Sequence, residues 1–410
     1  MQISNNEMPA NNQLYRLSLE YRSEYGRHKD IVYVSEQNFS ETISKLPALV
    51  KNDIETYCVK DNNFTNKTFD YIKGALFNDD TDIQKLITEN SRFRRNPGDN
   101  TVIEPRLGRF YPAILYNDER LLSADKMTPF RFINYENQDL VVDISHPLAN
   151  YEISVSIERI TADDYSLSSL REVPDRQIPA LFTGPGMQLR HKQEATDFFS
   201  DAPYERNDNN DDAEFYYQAR HTNHLDEIAL SELSHLYSDI IPKNAVILDL
   251  MSSINSHLDE KLAPQKVIGL GLNKEELNAN EMLDEVVVYD LNNNENLPFE
   301  SNTFDVVLCN LSIEYLTAPN KIFNEVSRIL KPHGRFVISF SNRWFPTKAA
   351  RLWNNLHDFE RIGVVIEYFI ESTGFGAINT FTQRGLGRPI TDRHNAVLSD
   401  PIYALWAEKI

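Results

Sequence analysis

At 410 residues the chain is longer than one core usually serves, and its 41% hydrophobic and 25% charged residues exclude the fibrous and disordered classes. Its 41 basic and 61 acidic side chains give a formal charge of -20, a field that repels phosphate backbones and weighs against nucleic-acid partners. Cys58 and Cys309 are too few for a disulfide framework and too far apart for a zinc pattern, and no apolar run approaches the roughly 20 residues of a membrane helix, so the expected compartment is the cytoplasm.

Residues 1–12, with no basic n-region or apolar h-region, read as a disordered tail, and 13–180 as an α+β domain. FSETISKLPALV and DIQKLITEN carry helical spacing between polar loops. The densest basic stretch, Arg92, Arg94 and Arg95 in SRFRRNPG, reads as a solvated loop. In RLGRFYP, Arg106, Arg109, Phe110 and Tyr111 read as an aromatic staple against a sheet, with a functional surface as the alternative. Alternating apolar and polar positions in FRFINY, DLVVDI and YEISVSIERI predict three antiparallel strands within 129–160, turned by ENQD and SHPLAN.

The segment VVDISHPLANYEISVSIERI resembles the C-terminal strands of bacterial FKBP-type peptidyl-prolyl isomerases of the SlyD-like branch. His146, Pro147, Leu148 and Ala149 match that family's turn, while Asn150 stands where it prefers glycine. The resemblance implies an FKBP-like antiparallel sheet, and isomerase or chaperone activity is one reading of the N-terminal half. Gly-Pro-Gly in FTGPGMQL then interrupts regular structure, and residues 201–214 hold six acids and one arginine. Residues 181–214 are therefore expected to be an acidic linker.

From 215 to 410 helix and strand alternate regularly, the pattern of a mostly parallel sheet covered on both faces. Asn223 and Asp226 frame the start of a helix over about 224–238. The runs AVILDL (245–250), KVIGLGL (266–272), EVVVYDL (285–291), FDVVLCNL (304–311) and RFVISFS (335–341) predict five buried parallel strands. Helices are expected at SHLDEKL, NKEELNAN, KIFNEVSRIL and over 347–372, and two last strands near INTFTQ and IYALWAEKI.

The run YDLNNNENLPFESNTFDVVLCNLSIEYLTAPNKIFNEVSRILKPHGRFVISFSN resembles class I S-adenosylmethionine-dependent methyltransferases of the type 11 branch, in its acid after the third strand, its LPF-x-x-x-x-FD segment and its L-K-P-x-G-R turn. The resemblance implies a Rossmann-like seven-stranded α/β domain, S-adenosylmethionine as cofactor, and methyl transfer to a small molecule or protein side chain. Against that family's pattern, Met251, Ser253 and Asn255 replace three glycines after Asp249, and Gly271 replaces the acid that accepts the ribose hydroxyls.

The cofactor-binding candidates are accordingly Asp249, Ser252, Ser253, Asn273, Asp290, Leu291 and Asn310. Asp290 is the best-preserved of them, on the adenine side. Methyl transfer needs alignment and exclusion of water, with a base only where the acceptor must lose a proton. The catalytic candidates are Asn310, Tyr315 and His224, and Arg343 beside Trp344 reads as an anion holder or a surface ion pair. Capping explains Asp226 in RHTNHLD, so no metal site is expected from its two histidines. The alternative to an enzyme is a non-catalytic binding protein built on two degenerate domains.

Overall fold

The computed structural model describes residues 13–60, 64–77, 85–95, 102–116, 128–160 and 169–410. The tail expected at 1–12 lies outside them. The chain opens on a hairpin, β1 (Leu14–Arg22) and β2 (Arg27–Ser35), followed by α1 (Glu36–Ser44), α2 (Ala48–Ile54) and β3 (Asn66–Tyr71). DIQKLITEN departs from its helical reading, because its residues β4 (Lys85–Thr88) pair antiparallel with Asp139–Asp143. A ladder partner there outweighs the weak helical preference of a short run.

β5 (Phe110–Pro112), β6 (Pro129–Glu136) and β7 (Asp139–Asp143) complete a four-stranded antiparallel sheet in the order β4-β7-β6-β5. Asn137 and Gln138, at φ 49° and 75°, form the tight β6–β7 turn, whose left-handed residues match the twist of the paired strands. The third predicted strand, β8 (Ile153–Ile160), does not join them: it lies between β1 and β3 in a larger sheet. Ile153, Val155 and Ile157 pack over the core under α1 and α2, whereas Phe130, Phe132, Leu140 and Val142 fill a separate core. SHPLAN therefore carries the chain from one sheet to another, and the strands expected in one FKBP-like sheet are divided between two.

Residues 181–214, expected as a linker, are packed cover. Leu181, Met187, Leu189 and Phe198 are buried, and the acids find cations: Asp212 lies 2.8 Å from Arg206 and 3.1 Å from Lys348. After α3 (Asp212–Phe215), α4 (Glu227–Ile240) begins later than the sequence suggests, because Asp226 is itself the cap, accepting from the amides of Ile228 and Ala229. Then come β9 (Val246–Leu250), β10 (Lys266–Gly271), α5 (Lys274–Ala279), β11 (Glu285–Val288), β12 (Phe304–Asn310), α6 (Pro319–Ile329) and β13 (Leu330–Phe340). SHLDEKL keeps only a single turn at Glu260–Leu262. The helix expected over 347–372 is two, α7 (Arg351–Asn354) and α8 (Asp358–Ser372), divided where His357 and Glu360 form a capping box. β14 (Phe375–Arg384) and β15 (Ile402–Lys409) end the chain.

The large sheet has eleven strands in the order β11-β10-β9-β12-β13-β15-β14-β2-β1-β8-β3. The first five are parallel and β15 runs antiparallel to both its neighbours. Ile247, Val267, Val306 and Leu308 pack against α4, and their alternates Leu248, Ile268, Leu270 and Val307 join the core with α6 and α8. Burial on both faces is why these strands read as continuous apolar runs. The mixed α/β character expected for 215–410 is present, but its sheet is continued by N-terminal strands. Among the described residues no helix is long and apolar enough to cross a membrane.

Candidate active site

The carboxyl ends of β9, β10, β11 and β12 open on one cavity of about 360 Å³, within the range of small-molecule sites. Chain segments leaving a parallel sheet at this end, where the strand order reverses between β9 and β12, leave room for a ligand. The cavity is lined by all nine candidates, Asp249, Ser252, Ser253, Asn273, Asp290, Leu291, Asn310, Tyr315 and His224. Their side chains nevertheless do different things.

Asp249 lies beneath the cavity, 1% exposed, and accepts from Ser252 Oγ (2.6 Å), Ser256 Oγ (2.7 Å) and Asn310 Nδ2 (3.1 Å). Burial pushes its carboxyl up to about 6 against the pull of those three donors. A carboxyl raised by folding stabilises the fold at acid pH, and the contribution is lost as pH rises from its unfolded value of about 4 through 6. The loss is on the order of 3 kcal/mol. Denaturant titrations of wild type and Asp249→Asn should therefore differ in slope across pH 4 to 6 and run parallel above it. Parallel curves throughout would show that Asp249 does not titrate in that window.

Met251 takes φ 58°, the left-handed conformation that favours glycine, so the turn after β9 curls like a glycine turn without one. Ser252 N donates to Leu270 O (2.8 Å), laying the turn across the end of β10. A Cβ on Gly271 would stand 2.3 Å from Ser252 O, so this backbone fills the space an acid there would need. Ser253 Oγ donates to Glu276 (2.6 Å), a carboxylate 7% exposed in the first turn of α5 whose other oxygen accepts from Arg220 N (2.8 Å).

Asn273 is fully engaged as a structural residue. Its Oδ1 caps α5 at Glu275 N and Glu276 N, and its Nδ2 donates to Tyr216 O (2.8 Å) and Tyr217 O (3.0 Å). Asp290 follows β11 and accepts from Asn292 N (2.9 Å), Asn293 N (3.2 Å) and Asn293 Nδ2 (2.9 Å), which fixes its carboxylate at the cavity wall. Leu291 is buried in the core beside it.

Among the catalytic candidates, Asn310 donates to Asp249 and accepts from Tyr237 OH in a network under the cavity floor. The Tyr315 hydroxyl accepts from Phe345 N (2.9 Å), and burial pushes the phenol well above its usual range. These bonds hold both side chains in place at the site. His224 stands edge-on to Phe345 at 5.8 Å, and burial lowers its pKa, leaving a neutral imidazole at pH 7.

His221 lies 3.0 Å from Glu275, and Arg343 lies 3.2 Å from the buried Asp400, an ion pair. Among the described residues no group of three or more His, Cys, Asp or Glu is placed to hold a metal. Two lining residues, Glu276 and Arg220, escaped the sequence reading. Glu276 sits in the first turn of α5 next to the altered motif and was within reach of it, while His257, which the sequence groups with Ser252, Ser253 and Asn255 as a polar substitute for the glycine turn, has its Nδ1 buried without a partner. Arg220, packed against the rings of Phe215, Tyr216 and Phe345, opens the segment RHTNHLD, whose histidines and Asp226 drew attention where its arginine did not.

Residues 252–338 match the protein family described as a methyltransferase domain. Over 87 residues the chain is 36% identical to the ubiquinone/menaquinone biosynthesis C-methyltransferase UbiE of Ruegeria sp. (strain TM1040), covering 18% of this chain and 34% of that protein. It is 39% identical over 44 residues to the sterol 4-C-methyltransferase strm-1 of Caenorhabditis elegans, covering 11% of this chain and 13% of that one. The chain thus spans a minor part of the length of these relatives. A solved S-adenosylmethionine-dependent methyltransferase of Aquifex aeolicus aligns at 14% identity and a TM-score of 0.32, over 45% of this chain and 92% of that one. The family match begins inside the turn after β9 and ends in β13, so the similarity to a methyltransferase domain lies in the C-terminal part of the chain and takes in part of the cavity lining.

Proposed function

We propose that this chain transfers a methyl group from S-adenosylmethionine to a small molecule or a protein side chain held at the mouth of the cavity, using the seven strands β9 to β15 as the methyltransferase sheet. The observation that carries the reading is the single cavity at the strand ends, bounded by the family-matched turn, Asp290 and Asn310. The residues present fit the cofactor in a modified way. The turn keeps its glycine-like curl at Met251, Asp290 lines the cavity with a fixed carboxylate that would hold the adenine, and the His257 Nδ1 in the cavity wall lacks a partner of its own. The ribose acid is absent, and Glu276 is the buried carboxylate that lines the cavity nearest that role.

When bound, the cofactor supplies an electrophilic methyl group. The protein's part is to orient and to exclude water. Asp249 and its serines hold the turn, Tyr315 holds Phe345 over the mouth, and the neutral His224 is the group placed to take a proton from an acceptor that must lose one. Calorimetric titration with S-adenosylmethionine tests the reading. Wild type is expected to bind in the micromolar to submillimolar range, and Asp290→Ala at least tenfold more weakly, the loss of about 1.5–3 kcal/mol typical of a hydrogen bond to a charged group. No heat at millimolar ligand would overturn the enzyme reading in favour of a non-catalytic binding fold.

A further inference from the structure

A second cavity, of about 450 Å³, lies between the four-stranded sheet, SHPLAN and residues 186–193, away from the methyltransferase site. Two motifs left without a role by the C-terminal domain meet in it: Phe110 of RLGRFYP, and Ser145, His146, Pro147 and Asn150 of SHPLAN. At its wall stands Arg131 in β6, only 8% exposed.

Its guanidinium is poorly served. Nη2 donates to Leu189 O (2.9 Å), while the buried Nε has no partner. Asp143 is directly opposite Arg131 in the β6–β7 ladder and acts on it through space, but its carboxylate accepts its hydrogen bonds from Ser145 N (2.8 Å) and Ser145 Oγ (2.5 Å) and lies 3.7 Å from His191. Among the described residues no carboxylate comes within 4.0 Å of the Arg131 guanidinium. The Phe110 ring lies 4.2 Å from its central carbon, but a cation–π contact returns about 0.5–2 kcal/mol, against the several kcal/mol that desolvating an unpaired cation costs.

The surroundings add charge of the same sign. Lys73 and Lys192 also line the cavity and form no ion pair among the described residues, and Arg190, although tied to Glu367, adds a fourth cation. Against them stand Glu24 and the already engaged Asp143. In a chain of net charge -20, a cluster of cations around one cavity is a local reversal of sign.

We propose that this second cavity is a binding site for a small multivalent anion, phosphate- or carboxylate-bearing, received by Arg131 from the side and by Lys73 and Lys192 at the mouth. An anion there meets the guanidinium's charge from the cavity side, where the protein itself supplies no paired carboxylate.

The test is thermal melting and calorimetry of the full chain with inorganic pyrophosphate and, separately, citrate, each against sodium chloride at matched ionic strength. A saturable rise in Tm with one probe and not with chloride is expected; which probe acts tells phosphate from carboxylate. The Lys73→Gln/Lys192→Gln double variant, both side chains exposed, should keep its fold and bind about tenfold more weakly. Arg131→Met should abolish binding while melting, without ligand, at or above the wild-type temperature, because an unpaired buried charge is removed. A shift reproduced by chloride, lysine variants that bind like wild type, or an Arg131→Met protein that melts lower without ligand would each overturn the proposal.

Discussion

Gly271→Asp is expected to lose S-adenosylmethionine binding and to lower stability, although it installs the acid that related methyltransferases carry at this place. The added Cβ would stand 2.3 Å from the carbonyl oxygen of Ser252, a backbone atom with little freedom to move. That turn is tied twice, by Ser252 N to Leu270 O (2.8 Å) and by Ser252 Oγ to Asp249 (2.6 Å), and neither bond survives a displacement of an ångström. Forced overpacking of this kind costs about 1–3 kcal/mol. The new carboxylate would also join Asp249 and Glu276 around one cavity, raising the charge repulsion inside it. Circular dichroism melts should show the variant several degrees below wild type, and calorimetry should show no binding at concentrations that saturate wild type. A variant that melts with wild type and binds more tightly would mean that the turn moves aside freely and that the ribose acid is simply missing.

That geometry also shows why the site was only partly legible. The strands β9, β10 and β12 announce themselves because each is buried on both faces, so its residues are largely apolar, whereas the edge strand β11, expected as buried, is exposed or half-exposed along its length. The altered turn announces its position but not its conformation. Nothing in LMSSINSHL says that Met251 takes a left-handed φ or that Ser252 crosses the end of β10, since both depend on bonds to Asp249 and Leu270 that form only in the folded chain. Asn273 and Tyr315 have the right residue types at the right strand ends, and tertiary partners then claim their polar atoms. In the N-terminal half, β1 does carry the alternation of a strand, Tyr15, Leu17, Leu19 and Tyr21 against Arg16, Ser18, Glu20 and Arg22, whereas its hairpin partner β2 is buried along nearly its whole length and shows no such alternation. β6, β7 and β8 were legible as strands, but their division between two sheets turns on SHPLAN, and local pattern carries no information about which sheet a strand joins.

The continuity of the large sheet leads to the second large effect. Asp30→Ala, a substitution in β2, is expected to destabilise the C-terminal part of the chain as much as the N-terminal part. β2 pairs parallel with β14 from His28 opposite Thr380 to Val32 opposite Arg384, the seam at which the N-terminal strands meet strands β9 to β15. Asp30 lies in that seam, 2% exposed, 2.6 Å from Arg384 and accepting from the Thr382 hydroxyl. Removing it leaves Arg384 buried without its carboxylate, a change that costs about 3–5 kcal/mol. Lys29→Ala is the control from the same strand. Its partner Glu20 lies 3.0 Å away on a half-exposed face, and surface pairs of this kind are worth about 0–1 kcal/mol. If the sheet folds as one body, denaturant unfolding of Asp30→Ala should remain a single transition, followed alike by the near-ultraviolet signal and by S-adenosylmethionine binding, displaced to lower denaturant. Two separated transitions, with cofactor binding retained through the first, would show that residues 215–410 stand independently and that β2 merely rests against their edge.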